Sequence, residues 1–331
     1  MFTEWQENHN LLVIRGDMRT NITEFILLGF SDFSSPLQAM IFFFFIFSYI
    51  VTIIGNGLII LTASINSVLQ TPMYFFLRNL SFHEFCLTTV TVPKVLENFL
   101  SKDRTISFLA CAFQMLSFFC IGVSECIFLG VMAFDRYMAI CHPLRYTSVM
   151  STKLCYQLTV GSWVLGSFES AVQVNYIFSL PYCGSNLIPH FFCDVAPVLR
   201  LACTNTFINE LVVFISCMCA AVLPFLLILC SYVKILSSIL LIHSSEGRLK
   251  ALSTCSSHLM SVFLFYGTAM FTYLHLGPYG SDNNDRMISL FYCIVTPAIN
   301  PLIYSLRNKE MKAAIRKLII KIPNRTNGLI Y

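Results

Sequence analysis

The chain has 331 residues, of which 56% are hydrophobic and only 11% charged, against about 25% charged in an ordinary soluble domain. So little polar material cannot cover a water-facing surface, and a mean hydropathy of +0.71 points to lipid as the solvent for most of the chain. A net charge of +4 is too small to mark a nucleic-acid binder, and most of the fourteen cysteines sit in apolar runs, where thiols pack as small hydrophobes.

Residues 1–36 form a polar N-terminal segment. Its apolar run Leu11-Leu12-Val13-Ile14 is too short for the core of a signal peptide. The first membrane helix is therefore expected to serve as an uncleaved anchor, and Met18 is a second candidate start. Asn21-Ile22-Thr23 is an N-glycosylation sequon. Over 37–306 seven nearly uncharged stretches follow: Leu37–Ile65, Pro72–Leu96, Ile106–Ile140, Leu154–Phe178, Phe207–Ile242, Leu249–Leu274 and Met287–Leu306. Each is near the roughly 20 residues that cross a bilayer. Their apolar residues lie on all faces, and backbone in lipid must satisfy its own hydrogen bonds, so they are read as helices. A barrel would need short alternating strands, which are not seen. The fold class expected is an all-α seven-transmembrane bundle. Over 307–331, Asn308 caps a short amphipathic helix with Met311, Ala314, Ile315, Leu318 and Ile319 on one face and Lys312, Arg316 and Lys317 towards the other. Such a helix lies in a membrane interface.

Lysine and arginine set the orientation. Arg307, Lys309, Lys312, Arg316, Lys317, Lys321 and Arg325 crowd the tail, and Arg136, Arg145, Lys153, Lys234, Arg248 and Lys250 flank loops on the same side. Asp32, Asp103, Asp194, Asp282 and Asp285 mark the other side. The C-terminus is expected in the cytoplasm and the N-terminus, with its sequon, outside. Asn79-Leu80-Ser81 falls inside a helix and Asn324-Arg325-Thr326 in the cytoplasm, so both should stay unmodified.

Charge inside such a chain is costly and calls for a reason. Asp135-Arg136-Tyr137 closes the third segment, where a buried arginine needs a partner and Asp135 is adjacent. Separating the two would free Arg136 for other acceptors; the plainer role is an interface anchor. Glu84 and Glu125 lie at membrane depth, where close carboxylates can share a proton or a cation. Pro301 removes a backbone hydrogen bond and kinks the seventh segment. Cys111, Cys183, Cys193 and Cys203 are expected on the oxidising side, where four cysteines permit three pairings. His190-Phe-Phe-Cys193-Asp194 has the look of a metal site but loses it if Cys193 is disulfide-bonded. There is no H-E-x-x-H, P-loop or G-x-G-x-x-G, and no catalytic constellation is found.

Seven segments also carry a family resemblance: "GN" at Gly55-Asn56, "PMYFFLRNLSF" at 72–82, "MAFDRYMAICHPLRY" at 132–146, "SY" at Ser231-Tyr232, "KALSTCSSHL" at 250–259, "FYGT" at 265–268 and "PAINPLIYSLRN" at 297–308. From Asn21 to about Lys317 the chain resembles an olfactory receptor of the rhodopsin-like G-protein-coupled superfamily. The resemblance implies that Arg136 leaves Asp135 on activation and meets the G protein, with Tyr137, Tyr232, Asn300, Pro301 and Tyr304 in the switch. It implies a sodium or proton site of Asn56, Glu84, Glu125 and Asn300, although most of the superfamily carries aspartate at the position of Glu84. It also implies disulfides Cys111–Cys193 and Cys183–Cys203, which tie down a loop over the pocket.

The ligand chamber is expected among the outer halves of the third, fifth, sixth and seventh segments: Phe118, Phe119, Gly122, Val123, Ser216, Cys217, Ala220, Met270, Thr272, Tyr273 and Leu290. This largely apolar set suits a small, volatile, mostly neutral odorant. No cofactor is expected beyond sodium as a modulator. The implied partners are a stimulatory olfactory-type G protein that raises cyclic AMP, membrane lipids, and accessory proteins for trafficking to the plasma membrane of sensory cilia. The rivals are a receptor for a metabolite, lipid or peptide, and a transporter, which would favour an internal repeat that is not seen.

Overall fold

Backbone placed among apolar side chains bonds to itself, and the result is a stack of long helices. The computed structural model describes residues 22–274 and 282–326, with side chains for all of these except 250, 269–274, 282–285, 306, 307, 309, 319 and 321–326. The long helices are α1 (Ser35–Ile65), α2 (Pro72–Leu100), α3 (Phe108–Cys141), α5 (Thr152–Phe178), α7 (Phe207–Leu240) and α8 (Ser245–Leu274). Shorter helices are α4 (Pro143–Val149) after α3 and α6 (Val195–Leu199) before α7. The seventh crossing is composite. Helix α9 (Asp282–Leu290) runs through a π turn (Phe291–Val295) into α10 (Thr296–Arg307), and α11 (Lys309–Thr326) ends the described chain. The expected edges hold to within a few residues, except that the seventh begins earlier, at Asp282.

Among the described residues, α1, α3, α7 and the stretch Arg286–Ser305 are each apolar and long enough to cross a membrane by themselves. The other crossings are more polar because their polar groups face the bundle: α2 buries His83, Glu84, Thr88 and Thr91. Large apolar side chains such as Phe43, Phe47, Phe168, Leu223 and Phe263 point outward instead. This inverted surface is what a lipid solvent permits.

Helix α3 is the central rod, packed on α2, α5 and α7. Its approach to α5 depends on Gly166, where an added Cβ would fall 2.2 Å from Ser124 Oγ and 2.8 Å from Cys120 O. Any larger residue would push the helices apart. Helix α11 folds back against α1 and α10. Asn308 Oδ1 caps it by accepting from Met311 N at 3.0 Å, and Tyr74 OH donates to Asn308 and Glu310. Met311 and Ala314 are buried while Lys312, Arg316 and Lys317 face out.

The opposite end, which carries the disulfides, holds an element the sequence reading lacks. Strands β1 (Glu24–Leu27), β2 (Thr105–Ser107) and β3 (Leu187–Ile188) form a sheet in the order β2-β1-β3. β1 pairs antiparallel with β2 and parallel with β3. Strands of two to four residues are too short to show a period. Past β1, Phe30 stacks on Phe99 and Phe191. Arg286 then grips Asp32 with two hydrogen bonds of 2.6 and 2.7 Å and lies 5.3 Å from the centre of the Phe33 ring. The hydrogen bond from Arg286 holds the Asp32 carboxyl below its ordinary range. Since Asp32 is half exposed, water screens the pair and its worth is small. Asn21 and Met18 lie outside the described residues.

Candidate functional site

At the end of α3 away from the disulfides, Arg136 Nη1 lies 3.3 Å from Asp135 Oδ2, and both residues are buried. Tyr146 OH donates to the other oxygen, Asp135 Oδ1, at 2.8 Å. The carboxylate is thus held from two sides, while Arg136 Nε is buried without a hydrogen-bond partner. A guanidinium with an unmet donor is poised to accept a better arrangement. Tyr137 OH bonds His142 Nε2 at 2.9 Å. Tyr232 does not reach Arg136; its hydroxyl meets His258 Nδ1 at 2.8 Å, and His258 Nε2 meets Leu129 O at 3.2 Å. His258 is thus a bridge from α7 through α8 to α3, a role that its position in the sequence does not reveal. The Tyr304 hydroxyl is buried without a partner.

Midway along the bundle the seventh crossing is held by side chains. Proline at 301 has no N–H for the carbonyl of Pro297, and Asn56 Nδ2 donates to that carbonyl instead, at 3.3 Å. Gly55 makes the approach feasible, since a Cβ there would meet Pro301 Cβ at 2.8 Å. Asn300 Nδ2 donates to Glu84 Oε1, and Asn300 Oδ1 accepts from Ser261 Oγ at 2.9 Å. The carboxyls of Glu84 and Glu125 are within hydrogen-bonding reach of each other. Each keeps one buried oxygen, Oε2, with no partner. Asn56, Glu84, Glu125 and Asn300 are thus gathered around α10, although Asn56 bonds the backbone rather than Glu84. Two free oxygens on facing acids suit a shared proton or a hard cation such as sodium.

Towards the disulfide end, Phe118 packs against Phe119, Phe192 and Tyr292, with ring centres 5.0–6.1 Å apart. Phe192 is brought there by the Cys111–Cys193 disulfide, whose Cα atoms lie 5.6 Å apart. Cys183 and Cys203 are bonded as well. Gln114 fastens the loop a second time, accepting from Cys193 N at 3.0 Å and donating to Val90 O at 3.1 Å. His190 Nε2 meets Ser289 Oγ at 3.1 Å. With Cys193 in a disulfide, the His190–Asp194 run has no thiolate to offer a metal.

Below this aromatic lid, no described side chain or backbone atom lies within 4 Å of where a Cβ on Gly122 would sit. Val123 and Cys217 are buried nearby on α3 and α7; Ala220 and Leu290 are half-buried. Met270, Thr272 and Tyr273 lie on α8, and their side chains are outside the description. Ser216 is not a lone polar anchor. It accepts from Gln173 Nε2 at 2.6 Å, and Gln173 also donates to Glu169 Oε1. Neither α5 residue is among the polar anchors expected from the sequence, Ser216, Thr272 and Tyr273, which lie on other helices. Their i, i+4 spacing was the signal available.

The sequence profile described as olfactory receptor matches residues 45–322. Human olfactory receptor 10A4 is 49% identical over 300 residues, covering 91% of this chain and 95% of the relative. Human olfactory receptor 10AG1 is 47% identical over 299 residues, covering 90% of this chain and 99% of the relative. Human olfactory receptor 13C9 is 47% identical over 314 residues, covering 93% and 97%.

Proposed function

The chain belongs to the olfactory receptor family of multi-pass G-protein-coupled receptors, and from that premise we propose that small volatile odorants bind beneath the Phe118–Phe192 lid and drive a stimulatory olfactory-type G protein to raise cyclic AMP. One observation carries the reading. A single rod, α3, carries Gly122, whose Cβ position has no described atom within 4 Å, and ends in the buried Asp135–Arg136 pair. An odorant that prefers one packing of α3 against its neighbours biases the equilibrium of that pair. The G protein, binding the packing in which Arg136 is released, strengthens odorant binding by the same factor. Orientation follows the charge pattern: glycan and disulfides outside, α11 and its basic face in the cytoplasm of a sensory-cilium plasma membrane. Accessory proteins assist delivery there.

The test is a panel of volatile alcohols, aldehydes, esters, ketones and amines applied to cells that display the full chain and report cyclic AMP. A dose-dependent rise that requires the stimulatory G protein is expected. Silence across the panel from a receptor shown to be at the surface would overturn the reading.

The Glu84–Glu125 pair serves as the sodium or proton site that stabilises the resting packing. Glu84→Gln keeps the shape and removes one ionisable group. Basal cyclic AMP is expected to shift several-fold, with lost sensitivity to sodium. Unchanged basal signalling and sodium response would show the pair to be a purely structural contact.

A further inference from the structure

We propose that Glu169 is the headgroup anchor of the ligand chamber and selects small protonated alkylamines. The inference rests on the receptor reading above and narrows its ligand class.

Glu169 is the only acid in α5, and the only base in that helix, Lys153, lies sixteen residues earlier. At about 1.5 Å per residue the two are about 24 Å apart, so the helix holds no neutralising partner. Nor does any ion pair among the described residues reach Glu169. Position decides which way it looks. Gly166 and Ser170 form the face of α5 in contact with the bundle, and Gln173, 3% exposed, belongs to the same buried side. From there Gln173 Nε2 binds both Glu169 and, across to α7, Ser216, with Cys217 Sγ at 3.7 Å. Glu169 is thereby held toward the α5–α7 seam next to Ser216 and Cys217.

The hydrogen bonds determine what the cluster can take. Gln173 uses its donor on Glu169 Oε1 and on Ser216, while Ser216 Oγ donates onward to Val213 O at 3.2 Å. What remains is an acceptor: Glu169 Oε2 is buried and has no partner. An unmet carboxylate oxygen at membrane depth is costly, and a ligand supplying both a donor and a positive charge meets the need. An alkylammonium supplies both, an alcohol a donor alone, and an ester or ketone neither. Apolar surface for a short alkyl tail adjoins this seam, where Phe119 of α3, Val174 of α5 and Val213 and Cys217 of α7 belong to one cluster.

The experiment compares amines, alcohols and methyl ethers of matched alkyl length, read as cyclic AMP in cells displaying the full chain, with surface amount measured alongside. Amines are expected to act at concentrations at least tenfold below those of the matched alcohols. Glu169→Gln is expected to lower the amine-to-alcohol potency ratio at least tenfold, and Glu169→Asp to restore part of it. The inference is overturned if Glu169→Gln leaves that ratio unchanged. It is overturned equally if the unaltered receptor answers neutral odorants but no amine, an outcome that leaves the odorant-receptor reading standing. Wild-type silence to every class would end both.

Discussion

Arg136→Ala is expected to abolish odorant-driven nucleotide exchange on the G protein while leaving the receptor at the cell surface. The guanidinium is buried at the end of α3, 3.3 Å from Asp135, with its Nε unpartnered. Removing one member of a buried ion pair commonly costs about 3–5 kcal/mol, because the other charge is stranded. Here the cost is smaller, since Tyr146 OH still donates to Asp135 at 2.8 Å. Folding therefore survives and the loss is functional. We expect exchange to fall more than a hundredfold, measured as guanine-nucleotide binding in membranes holding equal amounts of surface receptor. Exchange within threefold of wild type would remove Arg136 from the switch.

Cys111→Ser produces the other large loss, and it is one of folding. The Cys111–Cys193 bond spans 82 residues. In the chain-entropy account a loop of that length is worth about 4–5 kcal/mol, a large part of a typical protein's net stability. The bond also positions Phe192 against Phe118 and sets Cys193 N on Gln114. Surface display should fall at least tenfold by flow cytometry, for Cys111→Ser alone and for the double variant with Cys193→Ser. The double variant excludes a stray thiol as the cause. Cys183–Cys203 spans only 20 residues, worth about 3 kcal/mol by the same account, so Cys183→Ser should lose less. Normal display and odorant response in the Cys111 variants would contradict the tether.

Much of this was readable from residue order because lipid imposes simple demands. The seven oily runs, the kinking Pro301, the cap at Asn308 and the acids Glu84 and Glu125 at membrane depth each follow from one segment and its solvent. The small sheet was not readable, since its three strands come from parts of the chain up to 164 residues apart and none is long enough to show a pattern. Nor was the partner of Tyr232. His258 is present in the quoted "KALSTCSSHL", yet nothing in that stretch says that its ring spans α7 and α3.

The proposed ligand chamber shows the same division. Phe118, Gly122 and Cys217 could be proposed from depth along their helices. Glu169 and Gln173 stand out by their i, i+4 spacing, but that they meet Ser216 could not be read, because depth alone does not say which side of α5 meets α7. Hydropathy, charge and helix-breaking residues act locally, so the sequence by itself determined the membrane solvent, the crossings and the family. Which polar atoms find partners, and which are left without one, is a property of the contacts between helices, and only the tertiary structure decided it.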